Sequence, residues 1–249
     1  METHNALFWL VATLAAIFVG SSKGGLPMVG VLATPMLALV LPPVMAAGLL
    51  LPVFVVTDLF GLYAYRRHFN LRLLKILIPA TTIGVILGWA TASSVPEWLV
   101  TGLVGVIGVV FTLNILLRKQ PLGPGKPANL APGLFWGAIA GFTSFVSHTG
   151  GPPYQVYVLP QKLDKASFAG TTTILFAYVN AIKLIPYFAL GQLSVANLKV
   201  AAVLMVPGIL AVLAGVQIVK VLPEKLFFKL VTWALLAISL KLIYDGFIA

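Results

Sequence analysis

Polar side chains able to hold a ligand are concentrated in two short stretches of an otherwise apolar chain. FVSHTGGPPYQVYVLP, from Phe145 to Pro160, sets Ser147, His148, Thr149, Gly150 and Gly151 just ahead of Pro152-Pro153. FVGSSKGGLP, from Phe18 to Pro27, sets Ser21, Ser22, Lys23, Gly24 and Gly25 ahead of Pro27. Superimposing Gly24-Gly25 on Gly150-Gly151 also aligns Pro27 with Pro153, so the chain reads as a duplication around two polar tips. The hydroxyls donate hydrogen bonds, Lys23 or His148 supplies a cation, and paired glycines permit close backbone approach and positive φ. Proline suits the first turn of a following helix, whose N–H groups attract negative charge. Such a set suits a small anion.

The elements that must position these tips follow from composition. Sixty per cent of the 249 residues are hydrophobic and 9% charged, too little polar surface to cover a water-soluble domain. The chain is therefore expected to be an all-α polytopic membrane protein. Ten apolar runs, at about 6 to 20, 26 to 41, 44 to 65, 71 to 92, 97 to 117, 130 to 147, 152 to 161, 166 to 189, 197 to 219 and 225 to 248, fall five on either side of a Pro/Gly-rich break. This gives a first membrane repeat over 1–117, a cytoplasmic linker over 118–129 and a second repeat over 130–249, forming one integral membrane domain. A span of roughly 30 Å takes about 20 residues, which the third, fourth, fifth, eighth, ninth and tenth runs supply. The shorter runs opening each half are expected to form short or re-entrant hairpins that end inside the membrane. METHNALFWL lacks the basic region and cleavage site of a signal peptide, so the first run is expected to be retained.

The third run of each half carries a polar face. Phe54, Asp58, Gly61 and Tyr65 match Phe176, Asn180, Lys183 and Tyr187 at one constant offset, and the spacing puts each set on one side of a helix. An intramembrane carboxylate points to a pathway, so Asp58 is read as functional and, with His148, as a candidate for proton exchange. Sodium held by Asp58 and tip carbonyls serves the coupling equally well. Asn180 and Lys183 join the substrate-binding set, although Lys183 is near enough to a helix end to snorkel. Tyr65 and Tyr187 read as interfacial aromatics.

The formal charge of +10 is distributed between apolar runs, which favours the positive-inside rule over nucleic-acid binding. Arg66, Arg67, Arg72 and Lys75 form one cluster, Arg118, Lys119 and Lys126 a second, Lys162 and Lys165 a third, and Lys220, Lys225 and Lys229 a fourth. With all four cytoplasmic, both termini fall outside the cell membrane. The basic loop then follows the third run of one half and the fourth of the other, the pattern of an inverted repeat.

SFVSHTGGPPYQVYVLPQKLDKASFAGTTTILFAYVNAIKLIPY, from Ser144 to Tyr187, resembles the second-half signature of the sulfite exporter TauE/SafE family, and Gly20 to Pro27 resembles its first-half counterpart. The resemblance spans essentially the whole chain and implies export of sulfite, sulfoacetate or a related organosulfur anion. The first tip departs from the family's glycine-rich form by carrying Ser22-Lys23. Without HExxH, cysteine or a P-loop, the chain offers no set for a membrane enzyme or an ATP-driven pump. The expected function is thus a secondary transporter of a small anion without cofactor or bound metal; a passive anion channel would use the same lining groups.

Overall fold

Apolar runs punctuated by proline and capping residues become helices in chain order. The structure, a computed structural model, describes residues 6–27, 29–92, 94–117 and 125–248. Its helices are α1 (Ala6–Lys23), α2 (Ala33–Leu37), α3 (Pro43–Tyr65), α4 (Leu71–Ala90), α5 (Glu97–Leu117), α6 (Leu130–Ser147), α7 (Gly151–Val158), α8 (Lys165–Ala189), α9 (Val195–Val221) and α10 (Glu224–Phe247), with no strand among the described residues. Three starts carry the expected caps: the side chains of Asn70, Asp164 and Ser194 accept from the N–H groups of Leu73, of Ala166 and Ser167, and of Asn197.

Among the described residues seven helices, α1, α3, α4, α6, α8, α9 and α10, are long and apolar enough to cross a membrane. Three differences from the sequence reading concern length, one being that α6, like α1, is long and apolar enough to span. The first run extends through Gly20-Ser21-Ser22-Lys23 into an 18-residue helix of about 27 Å, close to a full span. The fifth keeps a shorter apolar stretch, Trp98–Asn114. The run at 26 to 41, punctuated by Pro27, Gly30 and Pro35, breaks into a 3-10 turn at Val29–Leu32 and the five-residue α2. Each half thus opens with one long arm, α1 or α6, and a short return, through α2 or α7.

The helices of the two halves interleave. α1 packs on α9 and α4 on α6; α3 lies between α8 and α9, and α5 pairs with α10. Small residues make the closest approaches: a Cβ on Gly20 would lie 1.9 Å from the Gly208 carbonyl oxygen, and one on Gly141 would lie 2.1 Å from that of Thr81. Close packing of this kind replaces the hydrophobic drive that lipid does not supply. α3 and α8 form the axis, burying 67% and 61% of their apolar stretches against 28% for α9 and 33% for α10. The outer helices turn side chains such as Val203, Val206 and Leu210 outward.

The basic loops meet at one end. The Lys126 N–H donates to the Pro160 carbonyl (2.9 Å), the Asn70 N–H to Thr171 Oγ1 (2.9 Å), and Lys165 Nζ to the Lys220 (3.0 Å) and Leu222 (2.5 Å) carbonyls. Arg118 and Lys119, with the linker as far as residue 124, lie outside the described residues.

At this end Asp164 caps α8. Partial burial pushes its carboxyl up, but the hydrogen bonds it accepts from Ser167 and Ala166 outweigh that and hold it below the usual carboxylate range. Replacing Asp164 by Ala should lower stability in detergent by about 1 kcal/mol at neutral pH. Because the folded-state value is depressed, the difference from wild type should persist above about pH 4 and vanish as pH falls further. Thermal unfolding at several pH values measures both effects.

Candidate functional site

The two tips are helix ends turned into the middle of the bundle. α1 closes with Leu26 N–H donating to the Ser21 carbonyl and Gly25 N–H to that of Ser22, a Schellman end with Gly25 at φ 105°. α6 closes at His148, whose φ of 55° lies in the left-handed region usually left to glycine or asparagine. Positive φ was expected at the paired glycines of both tips; in the second it falls on the histidine instead. A tyrosine pins each tip. Tyr65 Oη donates to the Gly24 carbonyl (2.7 Å) and Tyr187 Oη to that of Phe145 (3.0 Å), and both rings are buried. The interfacial reading of these tyrosines is therefore corrected.

Lys23 at the first tip reaches Asp58 on α3, Nζ to Oδ1 2.8 Å. Asn180 on α8 donates from Nδ2 to the other oxygen of Asp58, 2.8 Å. All three side chains are buried. Lys23 Nζ also lies 5.1 Å from the centre of the Phe54 ring, whose other contact is a stacked His148 ring with centroids 5.2 Å apart and planes 9° apart. Through Phe54 the two tips touch.

Lys183 on α8 lies behind the second tip and is fully buried, so it does not snorkel. Its Nζ donates to the Ser144 carbonyl (3.0 Å) and Oγ (3.3 Å) and approaches His148 Nδ1 (3.0 Å). With Lys183 an ammonium, Nδ1 must accept, which puts the imidazole proton on Nε2, 3.1 Å from Tyr187 Oη. The cluster thus buries two lysines against one aspartate.

Between the tips lies a cavity of about 50 Å³. At about 10 to 15 Å³ for each water it has room for three to five, comparable to an anion of a few heavy atoms. Of the binding candidates singled out in the sequence, Ser22, Lys23, His148, Gly151 and Asn180 line it, together with Pro27 of the first tip and Phe54 and Phe176 of the matched faces. Lys183 stands one layer back. Gly24 faces α9, where an added Cβ would lie 2.6 Å from the Val212 carbonyl oxygen, Gly25 faces Tyr65, and Gly150 is pressed on α6. All three are closely packed against protein, and Pro152 and Pro153 carry no amide donor at the α7 N-terminus. Ser21 does not line this cavity, and Ser147 and Thr149 line a different one.

Sequence reasoning did not single out Ser144, Thr172 and Thr173, which line the cavity with Phe54 and Phe176. The run Thr171-Thr172-Thr173 inside an apolar helix was the available signal. The pairing of Lys23 with Asp58 was legible too, as opposite charges isolated in apolar runs of the same half.

Comparison with known proteins adds one match. The sequence model of the family described as Sulfite exporter TauE/SafE matches residues 9–242, nearly the whole chain. No curated protein and no solved structure gives a significant match.

Breaking a buried ion pair by removing one partner typically costs about 3–5 kcal/mol, whereas removing both costs far less. Lys23→Gln and Asp58→Asn should therefore each lower stability strongly, and the double variant should recover most of the loss. Detergent unfolding of the four proteins in the cycle measures this, and simple additivity would show that the pair is not what seats the first tip.

Proposed function

The chain belongs to the sulfite exporter TauE/SafE family, a family of membrane transporters, and we propose that it moves a small anion, sulfite or an organosulfonate, outward across the cytoplasmic membrane by alternating access. The observation that carries this reading is two lysines set against a single aspartate around a small buried cavity between two helix tips. A cation held at membrane depth is expensive unless something negative visits it. Lys23 is already matched by Asp58, so an arriving anion would complete the Lys183 side, from which Ser144 and His148 reach into the cavity.

Alternating access is supported by the symmetry of the packing. Exchanging α1 with α6, α3 with α8, α4 with α9 and α5 with α10 turns the contact of α1 with α9 into that of α6 with α4, and the contact of α3 with α9 into that of α8 with α4. An inverted repeat has this property, and rocking one repeat against the other moves the opening from one side to the other. Asp58 lies two turns from the end of α3, and its partner Asn180 lies one turn from Lys183 on α8, so the polar groups form one continuous network. Coupling runs through Asp58, by a proton shared with His148 or by sodium held with tip carbonyls.

Reconstituted protein should catalyse saturable counterflow of sulfite or a sulfonate, and imposing pH and sodium gradients separately distinguishes the two couplings. Lys183→Gln should lower that flux about tenfold or more, the effect of losing a charged hydrogen-bond partner. Flux that neither saturates nor exchanges would identify a passive pore instead. For orientation, a reporter active only in the cytoplasm should be silent when fused after Ala249 and active within 118–129; the reverse pattern would overturn the inverted arrangement.

A further inference from the structure

Ser147 and Thr149 flank His148, yet they face away from the central cavity. The left-handed turn at His148 sends its ring toward Phe54 and leaves its two neighbours on the opposite side. There they line a second cavity of about 380 Å³, together with Thr34, Thr101, Lys241 and Asp245. Thr101 lies in the second turn of α5 and Lys241 and Asp245 near the end of α10, so this chamber sits at the end of the bundle opposite the basic loops. The tip at 147–149 and the segment at 30–35 line both it and the cavity between the helix ends.

Beside the apolar Pro35, Ala38, Leu39 and Trp98, the chamber carries hydroxyls with hydrogen-bonding capacity to spare. Thr34 is 2% exposed and its Oγ1 has no partner, a costly arrangement unless a ligand or water completes it. Ser147 Oγ and Thr149 Oγ1 bond each other at 2.7 Å, which uses only one of their two protons at good distance; the further contacts to the Thr143 carbonyl are 3.4 and 3.5 Å. Lys241 Nζ reaches both Asp245 oxygens, at 2.5 and 2.6 Å, from a side chain that remains 48% exposed. An ammonium so placed can turn from its neighbour to an arriving anion at small cost, because exposed pairs of this kind are worth little.

We propose that this outer chamber is a second station for the transported anion, where the Thr34, Thr101 and Thr149 hydroxyls and Lys241 receive it after it passes the His148 tip. The station rests on the anion-transport reading above. Its shared lysine makes it the weaker of the two sites, suited to release. A cation site would draw instead on Asp245 with the same hydroxyl oxygens, and the signs of the charge variants separate the two.

The chain lacks cysteine, so Thr101→Cys in the full-length protein gives a single probe for a membrane-impermeant thiol reagent in proteoliposomes. Methanesulfonate, which does not attack disulfides, serves as the anion. It should slow modification of the cysteine, and should still do so when Lys183→Gln has weakened the central cavity. Asp245→Asn, by freeing Lys241, should lower the half-protecting concentration about threefold, and Lys241→Gln should raise it about threefold. Lys241 is exposed and Asp245 half-buried, outside the packed core, so these two variants keep the test alive if Lys183→Gln does not fold. Protection that disappears with Lys183→Gln would mean that the chamber only reports the state of the central cavity, and would overturn the station. No protection while anion counterflow continues would overturn the station and leave the transport reading standing. Absence of both would remove the two together. Protection by sodium, abolished by Asp245→Asn, would assign the chamber to a cation.

Discussion

The buried contact between Lys23 and Asp58 is what the rest of the site depends on. A lysine or aspartate at the centre of a membrane helix costs about 2.5–3.5 kcal/mol on insertion scales, more than any single methyl contact or turn preference returns. That cost is relieved only if α1 continues through Ser21 and Ser22 to bring Lys23 level with Asp58. Once it does, Phe54 is held under the ammonium and Asn180 closes on the carboxylate from α8. One ion pair therefore fixes the end of α1, the facing of α3 and the contact of α3 with α8.

The two tips share a framework and differ in charge. In both, a tyrosine on the long axial helix holds a backbone carbonyl of the preceding arm. At the first tip the lysine comes from the tip and its counter-ion from the axis; at the second the lysine comes from the axis and meets a histidine and a serine, with no carboxylate. The same scaffold thus holds one lysine paired with a carboxylate and one bonded to a serine and a histidine, on opposite sides of a stacked Phe54 and His148. The matching framework supplies position, and the sequence differences between the two tips supply the difference in charged groups.

Much of this architecture could be read from the chain. Proline, asparagine, aspartate and serine punctuate the apolar runs, so α3, α4, α8 and α10 begin within about one residue of where the pattern places them. The inward face at 54, 58, 176 and 180 was legible because i, i+4 spacing is a property of the helix itself. What escaped was decided by tertiary contact. Whether Ser147 and Thr149 accompany His148 turns on one left-handed residue that no side chain announces, and whether Tyr65 and Tyr187 lie at an interface or pin a tip turns on which carbonyl comes within reach. The glycines illustrate the same limit, since close approach to a ligand and close approach to a neighbouring helix ask for the same residue.

The order in which the chain is made and the order in which it packs are not the same. α1 finds its glycine-lined partner only in α9, and α4 finds its own in α6. A ribosome that has delivered α1 to α5 has therefore released helices whose grooves face lipid and whose Asp58 still lacks Asn180. The first half is an unfinished intermediate, and the closing contacts are long-range ones that raise the entropic cost of late assembly. Biogenesis, more than the finished fold, is where this interleaving leaves the protein exposed.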